Sequence, residues 1–143
     1  MQTIEFIPLK YIEDDRGAIL HYIKKTDSFL DSFGECYFSW INPGYIKGWY
    51  RHTRLVSCLT SPTINLKVVL FDDKKNSKID LIDINPMNYG LIKIPSGTWY
   101  SFKSADDKPA LIVNTLSGTY DQSESERLPI DTLEIPYDWS KCA

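Results

Sequence analysis

Long apolar runs, cysteine pairs and basic clusters are all scarce in this sequence, and each scarcity closes a class of function. The longest apolar stretches are about four residues, such as Val68-Val69-Leu70-Phe71, whereas a helix crossing a bilayer takes about 18 or more. No membrane partner is expected. Cys36, Cys58 and Cys142 are odd in number and widely spaced, with no Cys-x-x-Cys pair. They are read as free thiols, neither a disulfide framework nor a thiolate zinc site. The opening Met-Gln-Thr-Ile-Glu-Phe-Ile-Pro carries an acidic residue early and no cationic stretch leading into an apolar one, so no secretion signal is expected and the chain is placed in the cytoplasm. Sixteen Lys and Arg against 19 Asp and Glu leave a net charge of −3, without a clustered basic run. That argues against nucleic acid, which needs several phosphates neutralised together. A single diphosphate needs only two or three local cations.

What the sequence does have is size and short strands. A chain of 143 residues buries roughly 68–70% of its unfolded surface, so residues 1–143 are expected to form one domain without a staple. Ten runs rich in β-branched and aromatic residues stand out: Ile4–Leu9, Ala18–Ile23, Cys36–Ile41, Ile46–Tyr50, Leu55–Leu59, Asn65–Phe71, Lys78–Ile84, Tyr89–Ile94, Trp99–Ser104 and Ala110–Leu116. Turn chemistry such as Asp14-Asp15-Arg16-Gly17, Asn42-Pro43-Gly44 and Pro95-Ser96-Gly97 separates most of them. Strands and turns at this spacing predict an all-β sandwich or barrel. In Asn65–Phe71, Leu66, Val68 and Leu70 share a face, as period two requires. Ile79–Ile84 changes face at Leu81-Ile82, which fits either a bulge or a strand covered on both sides. Only Thr26–Phe33 is helix-like, and it is one or two turns long. Beyond Asp121 the tail is polar, then offers Leu128, Ile130, Leu133 and Ile135 to pin it against the body.

The order of the motifs carries a resemblance over nearly the whole chain. Asp15-Arg16-Gly17, Gly44-Tyr45-Ile46-Lys47-Gly48-Trp49-Tyr50, Arg54-Leu55-Val56, Ile94-Pro95-Ser96-Gly97, and Tyr120-Asp121 ahead of Glu124, Glu126 and Trp139 resemble the dTDP-4-dehydrorhamnose 3,5-epimerase family. Similar spacing marks its sister family, the sugar-nucleotide 3,4-ketoisomerases. The resemblance implies a cupin jelly roll (a double-stranded β-helix) with at most short helical turns. It also implies a homodimer, and a barrel mouth that takes a nucleotide-diphosphate sugar of the 4-keto-6-deoxy class in the synthesis of surface polysaccharide precursors.

The departures fall on the positions that do chemistry. The epimerases read Arg-Gly-Leu-His, ending in the catalytic base, where this chain has Lys47-Gly48-Trp49-Tyr50. Their enolate-stabilising Lys corresponds to Arg54, their catalytic Tyr falls near Asn114, and a later His corresponds to Tyr100. The ketoisomerases read Arg-Gly-Phe-His-Ala-His, so their second His matches His52, and a Tyr on their preceding strand corresponds to Tyr37. Cupin metal positions read Tyr50-x-His52 and Tyr100, and one imidazole does not hold a divalent ion selectively; no metal and no cofactor are expected.

Removing a proton beside a carbonyl needs a base with a pKa near the working pH, an acid, and a donor to the enolate oxygen. Tyrosine titrates near 10, so Tyr50 suits the acid role better than the base. His52 is the nearby group whose ordinary pKa suits proton transfer. An extended chain places Tyr50, His52 and Arg54 on one face as phenol, imidazole and guanidinium; the competing reading is a surface His beside an ordinary aromatic. Trp99 and Tyr100 alternate, so one of them faces the interior, there to stack on substrate or to fill the core. The resemblance assigns Arg16 to the diphosphate, often across a dimer, with a turn residue paired to Asp14 or Asp15 as the alternative. Lys47 keeps the charge of the family Arg without its fork. His21 is read as a surface or partly packed residue. A member of the family that binds a nucleotide sugar without turning it over is the alternative function.

Overall fold

The computed structural model describes residues 3–27, 30, 32–74 and 77–141. Twelve strands form: β1 (Glu5–Pro8), β2 (Tyr11–Asp14), β3 (Gly17–Leu20), β4 (Glu35–Ile41), β5 (Ile46–His52), β6 (Ser57–Thr60), β7 (Leu66–Asp72), β8 (Lys78–Ile84), β9 (Gly90–Ile94), β10 (Trp99–Ser104), β11 (Ala110–Leu116) and β12 (Ser125–Arg127). Each of the ten expected runs holds a strand, and β2 and β12 are additional. The helix-like stretch Thr26–Phe33 falls partly outside the described residues. The helical element seen is a 3-10 turn at Trp139–Lys141. Cys36 and Cys58 are free thiols; Cys142 lies outside the described residues.

Two five-stranded antiparallel sheets are ordered β1-β9-β6-β11-β4 and β12-β5-β10-β7-β8, and β2-β3 forms a separate two-stranded hairpin. Alternation decides what lies between the sheets. Leu59, Ile92 and Ile112 from the first sheet meet Leu66, Val68, Leu70 and Phe102 from the second in one buried cluster. These faces must be apolar on every second residue, which is the pattern of β7.

The outer face of the second sheet is buried as well, because the C-terminal segment folds over it. Trp49, Val69, Phe71 and Trp99 pack there against Ile135 and Trp139, with Leu128, Ile130 and Tyr137 at the margin. Leu133, expected to help pin the tail, is instead 99% exposed. It follows a turn in which the Thr132 amide bonds the Pro129 carbonyl, and this carries its side chain off the sheet. Of the two options for β8, coverage on both sides holds at Ile79, Ile82 and Ile84: Ile82 and Ile84 join the interlayer cluster and Ile79 packs against the tail cluster, and there is no bulge. The register of β8 with β7 is unbroken from Asp72↔Lys78 to Leu66↔Ile84, and Leu81 is simply 59% exposed on an edge strand.

One irregularity positions the site. Between Tyr100↔Tyr50 and Phe102↔Lys47, β5 spends three residues where β10 spends two. The extra residue breaks strict alternation. Trp49 therefore turns outward into the tail cluster, while Lys47 and Tyr50 both line the inner side. Gly48 permits this: its φ is +139°, and a Cβ there would overlap Ser101, whose Oγ accepts a hydrogen bond from Trp139 Nε1 at 2.8 Å. Gly48→Ala is expected to cost about 3 kcal/mol, from overpacking together with backbone strain. Urea unfolding checks this; an unchanged midpoint removes the account of the bulge.

Candidate active site

A cavity of about 400 Å³ opens between the sheets at the side where β4 and β11 face β12, β5 and β10. Large apolar side chains fill the rest of the interlayer. On this side the inward positions are Tyr37 and Ser39 on β4, Asn114 on β11, and Lys47, Tyr50 and His52 on β5, too polar and in part too short to close it.

His52 ends β5 and is 5% exposed. Its Nδ1 lies 2.8 Å from Glu124 Oε1. The other carboxylate oxygen, Oε2, accepts the backbone amides of Arg54 and Leu55, each at 2.8 Å. Burial opposes the charge on Glu124, but the bonds from His52 and from the Leu55 and Arg54 amides outweigh it and hold the carboxyl below its ordinary value. A carboxylate only accepts, so Nδ1 carries a proton here, and in the neutral imidazole the lone pair is on Nε2. Among the described residues nothing hydrogen-bonds Nε2. Glu124 thus fixes the orientation of the imidazole at the cavity wall.

Phenols surround it. The Tyr100 ring stacks on His52 at 6.4 Å and meets Tyr50 at 5.7 Å. Burial foremost, then the neighbouring Tyr37 and Tyr50, push the Tyr100 phenol well above its ordinary value, which keeps it protonated. Tyr37, on the opposite wall, is pushed up by burial first and by Glu35 second. Both are proton or hydrogen-bond donors at neutral pH, not bases. Lys47 Nζ donates to Ser39 Oγ at 2.9 Å and to the Trp40 carbonyl at 2.8 Å, and Asn114 Oδ1 accepts from Ser57 Oγ.

Tyr37, Lys47, Tyr50, His52, Tyr100 and Asn114 therefore share one cavity. Three other sequence candidates lie elsewhere. Arg54 is exposed, because β5 stops at His52 and the chain bends before period two can bring residue 54 back to the same face; its backbone, not its guanidinium, serves the site through Glu124. Trp99 faces away, buried in the tail cluster with the Arg51 guanidinium 4.3 Å above its ring; Tyr100 takes the interior place. Arg16 sits at the tip of the β2-β3 hairpin, its side chain 90% exposed and paired with Asp14 at 2.7 Å. His21 is exposed too.

Residues at the site that were not assigned from sequence include Glu124, Glu35, Ser39, Tyr120 and Arg127. Glu124 belonged to the resembling motif, but no local pattern marks a buried carboxylate in a polar tail.

Comparison with known proteins gives this geometry its context. No family model matches the chain. The probable low-salt glycan biosynthesis epimerase of Haloferax volcanii is 29% identical over 148 residues, covering 98% of this chain and 95% of that protein. The spore coat polysaccharide biosynthesis protein SpsL of Bacillus subtilis is 29% identical over 133 residues, covering 89% and 88%. A dTDP sugar isomerase from Desulfovibrio desulfuricans superposes with a TM-score of 0.92 at 32% identity, over 98% of this chain and 92% of the other. The chain belongs to the sugar-nucleotide epimerase and isomerase family. The all-β cupin jelly roll that the resemblance implied is the architecture of this family, and His52, backed by Glu124, lines the cavity between its sheets.

Proposed function

We propose that this protein isomerises a nucleotide-linked 4-keto-6-deoxy sugar in the cytoplasm, during the synthesis of surface polysaccharide precursors. The observation that carries the reading is the free Nε2 of His52, with Nδ1 fixed on Glu124. In this reading Nε2 removes the proton from a carbon beside the ketone, and the electron pair moves onto the carbonyl oxygen. A phenol on the same wall, Tyr50 or Tyr100, donates to that enolate oxygen. Return of the proton from the opposite wall, where Tyr37 stands, inverts the carbon; return on the His52 side to the former carbonyl carbon, whose oxygen keeps the phenol's proton while the neighbouring hydroxyl gives its own to the phenolate, moves the ketone.

Incubation with dTDP-, UDP- and GDP-linked 4-keto-6-deoxy sugars in deuterated water tests the proposal. NMR should show deuterium entering beside the ketone, and its absence at high enzyme with every sugar removes the reading. A binding-only role is the second reading. It is favoured by Asn114, which stands near the family's catalytic Tyr and cannot exchange a proton. We further propose a homodimer in which Arg16, remote from its own cavity, supplies charge to its partner's diphosphate; a monomer mass in sedimentation would remove that part.

A further inference from the structure

Three basic residues border the cavity, and they differ in what already occupies their side chains. Arg51 pairs with Glu126 at 2.9 Å and Asp73 at 3.7 Å and lies over Trp99. Lys47 is held by Ser39 and the Trp40 carbonyl. Arg127, on β12, has neither an ion pair nor a side-chain hydrogen bond among the described residues. Its guanidinium lies 5.3 Å from the Tyr50 ring centroid, at the cavity wall. A guanidinium resting on an aromatic face keeps its N–H edge free for a planar, bidentate anion.

We infer that Arg127 grips the terminal phosphate of the nucleoside diphosphate and so sets which sugar carbon reaches His52. The inference rests on the nucleotide-sugar reading given above. Register supplies the distance. Across β5 and β12, Arg127 stands opposite Tyr50 and Ser125 opposite His52, so the backbone of Arg127 is two strand residues, about 7 Å along the sheet, from the level of the base, and its guanidinium lies against the Tyr50 ring at the cavity wall. In a sugar joined through C1 to the phosphate, C3 and C5 are four bonds from the phosphorus and C4 is five, roughly 5–6 Å through space, since tetrahedral angles shorten each bond of about 1.5 Å to an advance of about 1.25 Å. A phosphate on Arg127 thus brings the carbons flanking a C4 ketone to the imidazole, whereas one held only at Lys47, three residues beyond Tyr50 along β5, leaves them short. The opposite wall bears a carboxylate, Glu35, which accepts the Tyr120 amide at 2.6 Å. It repels a phosphate and leaves the β12 side as the anionic berth.

The test is calorimetric titration of the whole protein and of Arg127→Ala and Arg127→Lys with dTDP, UDP and GDP and with the matching monophosphates. The wild type should prefer the diphosphate of its nucleotide to the monophosphate by at least about tenfold. Arg127→Ala should lose that preference while keeping monophosphate affinity, and Arg127→Lys should recover part of it. Wild-type preference retained in Arg127→Ala overturns this inference alone. No heat from the wild type with any of the nucleotides overturns it together with the reading of the site as a nucleotide-sugar pocket.

Discussion

Replacing His52 with Asn is expected to slow deuterium exchange into the keto sugar about a thousandfold, within the 10²–10⁴ that a positioned general base contributes, while leaving nucleotide affinity within about twofold of wild type. Two features of the site separate these effects. The first is chemical: Tyr50, Tyr100 and Tyr37 are phenols, and those of Tyr100 and Tyr37 are pushed further from ionisation by burial, so none replaces an imidazole as base at neutral pH. The second is structural: the Asn side-chain amide can still donate to Glu124, so the carboxylate keeps a partner and the amides of Arg54 and Leu55 keep theirs. A variant that binds as before and exchanges as fast as wild type would mean that the proton leaves by another route, and the assignment of His52 would fall.

How much of this could be read beforehand depends on whether a feature is local. The ten strands were legible because each is a local run of β-branched and aromatic residues, most of them bounded by turn chemistry. β2 was hidden by the turn residues packed around it, and β12, Ser125-Glu126-Arg127, has no apolar residue at all; it is a strand because the edge of β5 offers it hydrogen bonds. The same division runs through the site. Tyr50 and His52 share a face by period two alone. Lys47 joins them only because the bulge at Gly48 inserts a residue, which no count along β5 discloses, and Arg54 leaves them because the strand ends two residues early. Asp14 beside Arg16 announced the hairpin pair that the structure contains. The partnership of Glu124 with a histidine 72 positions away in the chain is set by topology, and its only trace in the sequence was the order of motifs.

That partnership supports the second large effect. Glu124→Gln should preserve the fold and still cost on the order of 10²–10⁴ in turnover, because it reverses the imidazole. The Gln carbonyl oxygen can take over the amides of Arg54 and Leu55, which leaves its NH₂ facing His52 Nδ1. An NH₂ only donates, so Nδ1 must become the acceptor and the proton moves to Nε2, where the base is needed; an Asp→Asn change behind a catalytic imidazole loses activity for this reason. Nitrogen NMR of the imidazole distinguishes this positioning role from a general loss of order: the protonated nitrogen should change from Nδ1 to Nε2 while the other resonances stay in place. Stability gives an independent reading. The Glu124 carboxyl lies below its ordinary 4.5 in the folded chain, so the stabilisation it gives is complete above that value and is lost as pH falls through the lower folded one. The acid limb of the unfolding curve should therefore flatten in Glu124→Gln, and an unaltered limb with an unaltered tautomer would remove Glu124 from the mechanism.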